Sequence, residues 1–187
     1  MNRKSEGETI EVELRAKTTP SIISLIKQRA QLISSGKEKD IYYKFHSNPK
    51  NFWIARVRKK NNYYYLTYKS SATFGEGSWH EIEIAISKDI ASNLHHFFLG
   101  NGFVIEVEIS KKRSTYKLDN MTINIDEIEQ LGKFMEVEII TNKQGIKKAQ
   151  ERINAFLISL DIEKESITKK GYVLLMQEKV AKQTDPQ

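Results

Sequence analysis

The stretch "TIEVELRAK", residues 9–17, carries a charge at every second position. Glu11, Glu13, Arg15 and Lys17 alternate with apolar residues. In a β-strand successive side chains point to opposite faces, so this spacing predicts one fully charged face and one apolar face. The ordinary interpretation is a half-exposed antiparallel strand whose charged face lies in water.

Glu-x-Glu pairs recur in three further segments, which weakens that ordinary interpretation. They stand in "HEIEIAI" (residues 80–86), "FVIEVEI" (103–109) and "KFMEVEI" (133–139). Glu is a poor strand former, so four such pairs call for a reason beyond solvation.

Length and composition limit the classes of fold and function that this chain can have. The 187 residues are enough for one domain with a sizeable core, and no Pro/Gly/Ser-rich linker divides them, so we expect a single domain over 1–187. The absence of cysteine excludes disulfides, thiolate metal sites and a cysteine nucleophile. No long apolar run or signal-peptide core is visible, which predicts a cytoplasmic protein without membrane contact.

The net charge of +6 attracts polyanions in general. The basic residues are spread among the acidic pairs instead of forming one tail or one amphipathic helix, so we expect a small-molecule partner and no specific nucleic acid. Whether the chain forms a homodimer is left open.

The order of predicted elements follows from periodicity and turn signals. Helices are predicted at 20–36, between Pro20 and Gly36, at 87–102, at 142–162 and, as one short turn, at 126–132. Strands are predicted at 9–17, 40–45, 52–60, 62–70, 79–86, 103–125 with a turn at Asp119-Asn120, and 133–140.

Polar and apolar residues alternate along most of these strands, as for Arg56 and Arg58 in "IARVR". Amphipathic helices need an apolar sheet surface to cover, so we expect the helices outside a barrel and the charged faces lining an enclosed channel. Buried charges are costly unless paired or coordinated, and such a lining indicates a ligand. A polyphosphate held by Arg and Lys, bridged to carboxylates by Mg²⁺ or Mn²⁺, fits this chemistry.

Here the sequence resembles a known family. "EVELRAK" is similar to the N-terminal Glu-x-Glu-x-Lys signature of the CYTH, or triphosphate tunnel metalloenzyme, superfamily. "DIYYKF", "IARVR", "LTYKS", "EIEI" and "ISKKRSTY" follow in the family's order. The most specific segment is "IDEIEQLGKFMEVE", residues 125–138, which resembles a block of class IV adenylate cyclases.

The resemblance implies an α+β fold with an eight-stranded antiparallel closed β-barrel, a triphosphate tunnel inside it and helices outside. It implies Mg²⁺ or Mn²⁺ held by Glu11, Glu13, Glu136 and Glu138, with Glu81, Glu83 and Asp126 as further metal candidates. Phosphate oxygens would be bound by Arg15, Lys17, Arg56, Arg58, Lys69, Lys111 and Arg113. The family usually has Lys where this chain has Arg15, so Arg15 is expected to bind phosphate without acting as a catalytic amine.

Two assignments were open on the residues alone. Glu81 and Glu83 could bind metal or hold basic side chains, and Asp126 could bind metal or cap the short helix predicted after Ile125. On the strand 103–118, alternation lets only one set of charges face the tunnel, and we assign Lys111 and Arg113 to it and Glu106 and Glu108 to the surface.

The expected activity is conversion of ATP to cyclic AMP and pyrophosphate, catalysed by Glu11, Glu13, Arg15, Glu136 and Glu138 with the metal. The alternative is a triphosphatase acting on thiamine triphosphate, inorganic tripolyphosphate or nucleoside triphosphates. A third hypothesis is a module that binds nucleotide or polyphosphate without turnover.

Overall fold

A computed structural model describes residues 9–45, 53–70 and 77–184. Its strands are β1 (Ile10–Lys17), β2 (Gln31–Phe45), β3 (Trp53–Lys60), β4 (Tyr63–Ser70), β5 (Ser78–Ile86), β6 (Phe103–Leu118), β7 (Met121–Ile128) and β8 (Gly132–Thr141). Its α-helices are α1 (Pro20–Arg29), α2 (Lys88–Gly100), α3 (Ile146–Ile158) and α4 (Tyr172–Thr184).

The eight strands form one closed antiparallel barrel in the order β1-β5-β4-β3-β2-β6-β7-β8. β2 to β5 form the meander that their aromatic and β-branched content indicates, and β1 closes the ring by pairing with β8 along its whole length. The predicted fold class is confirmed.

The apolar faces point outward and carry the hydrophobic core. Val12 and Leu14 of β1 pack in one cluster with Ile153 and Leu157 of α3. A second cluster joins Tyr43, Ala55 and Val57 on the barrel to Ala91 and Phe98 of α2. Burying these helix faces against the sheet directs the alternate, charged side chains of each strand into the barrel.

Helix α4 packs against an apolar ring of barrel residues. Tyr172, Val173 and Met176 join Ile54, Ile109, Ile128 and Phe134 in a third cluster. No helix was predicted after residue 162, because the short apolar run in "KGYVLLMQ", residues 170–177, has meaning only beside the barrel residues that it covers.

One predicted helix is present but ends earlier than expected, and a second is absent. The helix predicted at 20–36 ends at Arg29, because Ala30 takes an extended conformation and β2 begins at Gln31. Gly36 lies inside β2 and not at a helix end. A Cβ there would approach Asn61 Oδ1 to 2.6 Å, so glycine permits the contact with the β3–β4 turn.

The short helix predicted at 126–132 is wrong. β7 continues to Ile128, and the chain turns back into β8 through Gln130 and Gly132, both with positive φ. The Asp119-Asn120 turn is confirmed, with Asp119 at φ 53°. In the described part of the chain, every helix is too short or too polar to cross a membrane.

Candidate functional site

The inward faces of the strands enclose a cavity of about 290 Å³. Three adjacent strands, β8, β1 and β5, form an acidic wall. It consists of Glu136 and Glu138, Glu11 and Glu13, and Glu81 and Glu83.

Cationic side chains complete the lining. Arg15 stands within the acidic wall, and the others come from β3, β4 and β6, namely Arg56, Arg58, Lys60, Lys69, Lys111 and Arg113. With Glu38 of β2, the described lining holds seven carboxylates and seven cationic groups, so its formal charge is zero. The charged channel that alternation predicts is therefore present, but the two signs balance.

Three carboxylates approach one another closely enough to share a cation. Glu13, Glu136 and Glu138 each offer an oxygen atom, and these atoms lie within 4.8 Å of one another. Among the described residues Glu138 has no ion-pair partner, and burial together with the charges of Glu11 and Glu136 raises the pKa of its carboxyl well above the ordinary value. An all-carboxylate donor set that carries this repulsion fits a hard divalent cation such as Mg²⁺ or Mn²⁺.

Glu136 is held between two arginines. Its Oε2 lies 2.6 Å from Arg15 Nη2 and its Oε1 lies 3.1 Å from Arg113 Nη2. Burial alone would raise the pKa of Glu136, but the two guanidinium groups hold it well below the ordinary value. Arg15 also lies 2.8 Å from Glu13, so it links two members of the carboxylate cluster.

Lys69 is the centre of a second group of carboxylates. Its Nζ lies 3.0 Å from Glu11, 3.2 Å from Glu13 and 3.0 Å from Glu81. Burial raises the pKa of Glu11 to about 7, although Lys69 opposes the shift. Glu11 therefore lies beside the carboxylate cluster but is bound to a lysine.

Glu81 and Glu83 hold basic side chains in position. Arg56 Nη2 lies 3.0 Å from Glu81 and 3.2 Å from Glu83, and it donates a further hydrogen bond to Thr67. Of the two roles left open for these carboxylates, support of cations is the one that their contacts show.

The cationic lining residues of β3, β4 and β6 are here called the basic wall. The sequence analysis missed two carboxylates that contact it. Asp40 on β2 is completely buried and accepts hydrogen bonds from Arg58 Nε at 2.7 Å, Arg58 Nη2 at 2.8 Å and Lys111 Nζ at 2.9 Å. Glu38 lies 3.3 Å from Lys111 and 3.5 Å from Arg58. The alternation of Glu38, Asp40 and Tyr42 could have revealed them, but the predicted strand began only at Asp40, whereas β2 begins at Gln31.

Asp126 does not cap a helix. Its carboxylate accepts hydrogen bonds from Arg113 at 2.7 and 2.6 Å, and Tyr172 Oη donates one at 2.8 Å. Asp126 is thus completely buried behind Arg113 and does not line the cavity. It fixes Arg113 and ties α4 to the barrel.

The orientation predicted for β6 is confirmed. Lys111 and Arg113 line the cavity, whereas Glu106 and Glu108 lie outside it and pair with Lys44 and Lys39. Lys17 differs from its expected place, because it is exposed at the end of β1 and is not part of the lining.

Comparison with known proteins gives the same family that the sequence resembles. The family description "CYTH domain" matches residues 9–172. A Methanocaldococcus jannaschii protein named as a candidate adenylate cyclase is 28% identical over 174 residues, which cover 89% of this chain and 98% of that protein.

Solved structures share the architecture. The PH1819 protein of Pyrococcus horikoshii OT3 superposes with a TM-score of 0.80 at 28% identity, over 90% of this chain and 99% of the other. A Hippeastrum protein, described as a candidate adenylyl cyclase with a dominant triphosphatase activity, shares the fold with a TM-score of 0.62 at 19% identity, over 87% and 91% of the two chains. Because the family match spans all eight strands and reaches Tyr172, this chain belongs to the CYTH domain family.

Proposed function

We propose that this protein is a metal-dependent enzyme that acts on a triphosphate bound inside the barrel. The proposal rests on one observation, that a cluster of carboxylates and a set of cationic side chains line the same cavity. The carboxylate cluster of Glu13, Glu136 and Glu138 suits a divalent cation, and the Arg and Lys side chains opposite suit phosphate oxygens.

Glu13, Glu136 and Glu138 would hold the cation, with Glu11 beside them. A bound Mg²⁺ or Mn²⁺ would neutralise phosphate charge and make an attacking oxygen easier to deprotonate. Arg15 contacts Glu13 and Glu136, so we assign it the positioning of these carboxylates. This role suits a planar guanidinium, which can bind two acceptors at once.

Arg56, Arg58, Lys69, Lys111 and Arg113 would bind the phosphate oxygens. Each is fixed by buried or half-buried carboxylates, so little side-chain entropy remains to be lost when substrate binds. Preorganised cations of this kind stabilise the charge that develops during phosphoryl transfer.

The first candidate reaction is that of an adenylate cyclase. The ATP 3′-oxygen attacks the α-phosphorus, the bond from that phosphorus to the α–β bridging oxygen breaks, and pyrophosphate leaves with the electron pair while the hydroxyl proton passes to solvent. The resemblance of residues 125–138 and the name of the M. jannaschii relative support this reaction.

The second candidate is triphosphate hydrolysis, in which water attacks the terminal phosphorus and the bond from that phosphorus to its bridging oxygen breaks. The diphosphate leaves with the electron pair, orthophosphate is released and the water proton passes to solvent. The cavity of about 290 Å³ favours it, since this volume lies at the lower end of the roughly 300–1,000 Å³ of small-molecule sites and suits a phosphate chain better than a whole nucleotide. A nucleoside would have to lie in the mouth of the barrel.

The test is product analysis with ATP, tripolyphosphate and thiamine triphosphate, each with Mg²⁺, with Mn²⁺ and with excess chelator. Cyclic AMP with pyrophosphate identifies the first reaction, and phosphate release identifies the second. If none of the three substrates is turned over and ligand binding survives chelation, the proposal is contradicted and the protein is a binding module.

A further inference from the structure

A lysine-rich groove runs across the outside of the barrel and meets the charged cavity at Glu38 and Lys111, which line both. It has a volume of about 1130 Å³ and crosses β3, β2, β6 and the β7–β8 turn. Its outward-facing cationic residues, here called the lysine groove, are Lys37, Lys39, Lys59, Lys112 and Lys133.

The strand register places like charges directly opposite one another in this groove. Lys39 of β2 faces Lys59 of β3, and Lys37 of β2 faces Lys112 of β6. Like charges at directly opposed positions destabilise a sheet. In the described part of the chain Lys37, Lys59, Lys112 and Lys133 have no ion-pair partner within 4 Å, which contrasts with the paired cations inside the barrel.

From this arrangement we infer that the lysine groove binds the backbone of single-stranded RNA without reading its sequence. Neighbouring strands are about 4.8 Å apart, so the opposed lysines form a compact row that a chain of phosphates can neutralise. The five lysines of the groove are not part of the cavity lining, so the inference does not depend on the proposed triphosphate function, although Glu38 and Lys111 belong to both linings.

The uncharged and acidic residues of the groove favour RNA over a chain of phosphates alone. Asn61, Asn62 and Gln130 contribute amide donors and acceptors, and Glu127 and Glu129 contribute acceptors only. Inorganic polyphosphate carries no donors to offer these acceptors, whereas RNA has 2′-hydroxyl and base amino groups. No aromatic residue lines the groove among the described residues, so base stacking, the usual source of preference for particular bases, is not provided.

The shape of the groove does not suit a membrane. The surface is concave, and among the described residues that line it the one large apolar side chain, Ile128, is buried and is not presented to lipid. The sequence hid this surface because its five lysines come from four strands, and only the register brings them together.

The test measures binding of a fluorescent oligouridylate by anisotropy at several salt concentrations. The probe has a 5′-hydroxyl and therefore offers no triphosphate to the barrel. The variant Lys59→Glu/Lys112→Glu should weaken binding roughly tenfold or more and reduce the salt slope by about 1.4, which is 0.7 for each lost phosphate contact.

A matched control keeps net charge from explaining the result. Lys143→Glu/Lys148→Glu changes the net charge by the same amount at exposed positions near and on α3, and its RNA affinity should stay within about twofold of the parent. Equal losses in both variants, displacement of the probe by Mg²⁺-tripolyphosphate, or tighter binding of long polyphosphate or anionic vesicles than of RNA would each overturn the inference.

Discussion

Asp40 determines the geometry of the basic wall. It is completely buried, and although burial by itself would raise its pKa, Lys111 and Arg58 hold that pKa well below the ordinary value. A carboxylate in this position lets two cations stand side by side in a buried barrel, and its loss would leave them only the longer contacts with Glu38, at 3.3 Å from Lys111 and 3.5 Å from Arg58.

The first prediction concerns this carboxylate. Asp40→Asn keeps the shape and removes the charge, so the free energy of unfolding should fall by about 3–5 kcal/mol in urea titrations at neutral pH. The control is Asp119→Asn, because Asp119 pairs with Arg152 on the surface and exposed pairs contribute about 0–1 kcal/mol. Equal losses for the two variants would show that Asp40 does not support the basic wall.

The second prediction concerns acid stability. The folded-state pKa values of Asp40 and Glu136 lie below their unfolded values of about 3.9 and 4.3, so the unfolded chain takes up protons first as pH falls. Their stabilisation is complete above pH of about 5 and is lost progressively below it. Unfolding free energies measured down to about pH 3 should fall steeply for the parent and less steeply for Asp40→Asn. Parallel curves would contradict the assignment.

The third prediction separates two members of the carboxylate cluster. Glu138 has a raised pKa, so its ionisation costs stability as pH rises above about 4.3, whereas ionised Glu136 is stabilised by Arg15 and Arg113. In chelator at neutral pH, Glu138→Gln should therefore raise the melting temperature and Glu136→Gln should lower it. Both should remove Mg²⁺-dependent activity, and full activity in either would exclude that residue from the metal site.

The alternation of polar and apolar residues along a strand predicts which charged side chains point into the barrel. It predicts the ion-pair partners of these side chains far less well. Glu13, Arg58 and Glu136 line the cavity as expected, since period-two spacing fixes the face. The partners of each charge depend on register between strands distant in sequence, so the bond from Asp40 to Lys111 was not predictable. Lys17 falls outside the lining because β1 ends with it.

At the scale of the element, the boundary between α1 and β2 was the main error, since the helix was predicted to Gly36 and the strand only from Asp40. Helical periodicity continues past Arg29 through Leu32 and Ile33, but pairing of Gln31–Phe45 with β6 along its length overrides it. Propensity is a weak prior against such long-range pairing. Helices α2 and α3 were predictable because each has a clear apolar face and a polar start, such as the Ser87 cap of α2.

The fourth prediction tests how α4 is attached. Tyr172→Phe keeps the ring in its apolar cluster and removes the hydroxyl that donates to Asp126, so it should cost about 1–3 kcal/mol of unfolding free energy. Tyr63→Phe is the control, because Tyr63 is exposed and its hydroxyl should contribute less than about 0.5 kcal/mol. An unchanged stability for Tyr172→Phe would show that packing alone holds α4.

For the whole molecule, the balance of charge is the central property. Within the described part of the chain, seven carboxylates and seven cationic groups line the cavity, and many of them pair with one another across strand boundaries. A triphosphate alone would compete with the carboxylates for the cations, and a metal ion alone would compete with the cations for the carboxylates. A triphosphate and its divalent metal together supply both signs, so each should favour binding of the other.

The most direct measurement is the melting temperature with Mg²⁺, with tripolyphosphate and with both, in the parent and in Glu136→Gln. A ligand at about 100 times its dissociation constant adds roughly 2.7 kcal/mol of stability, which a thermal shift detects readily. A single metal-bridged site predicts that the parent's shift with both ligands exceeds the sum of the separate shifts, and that Glu136→Gln loses this excess. A combined shift in the parent no larger than that sum would show that the acidic and basic walls do not share one triphosphate site.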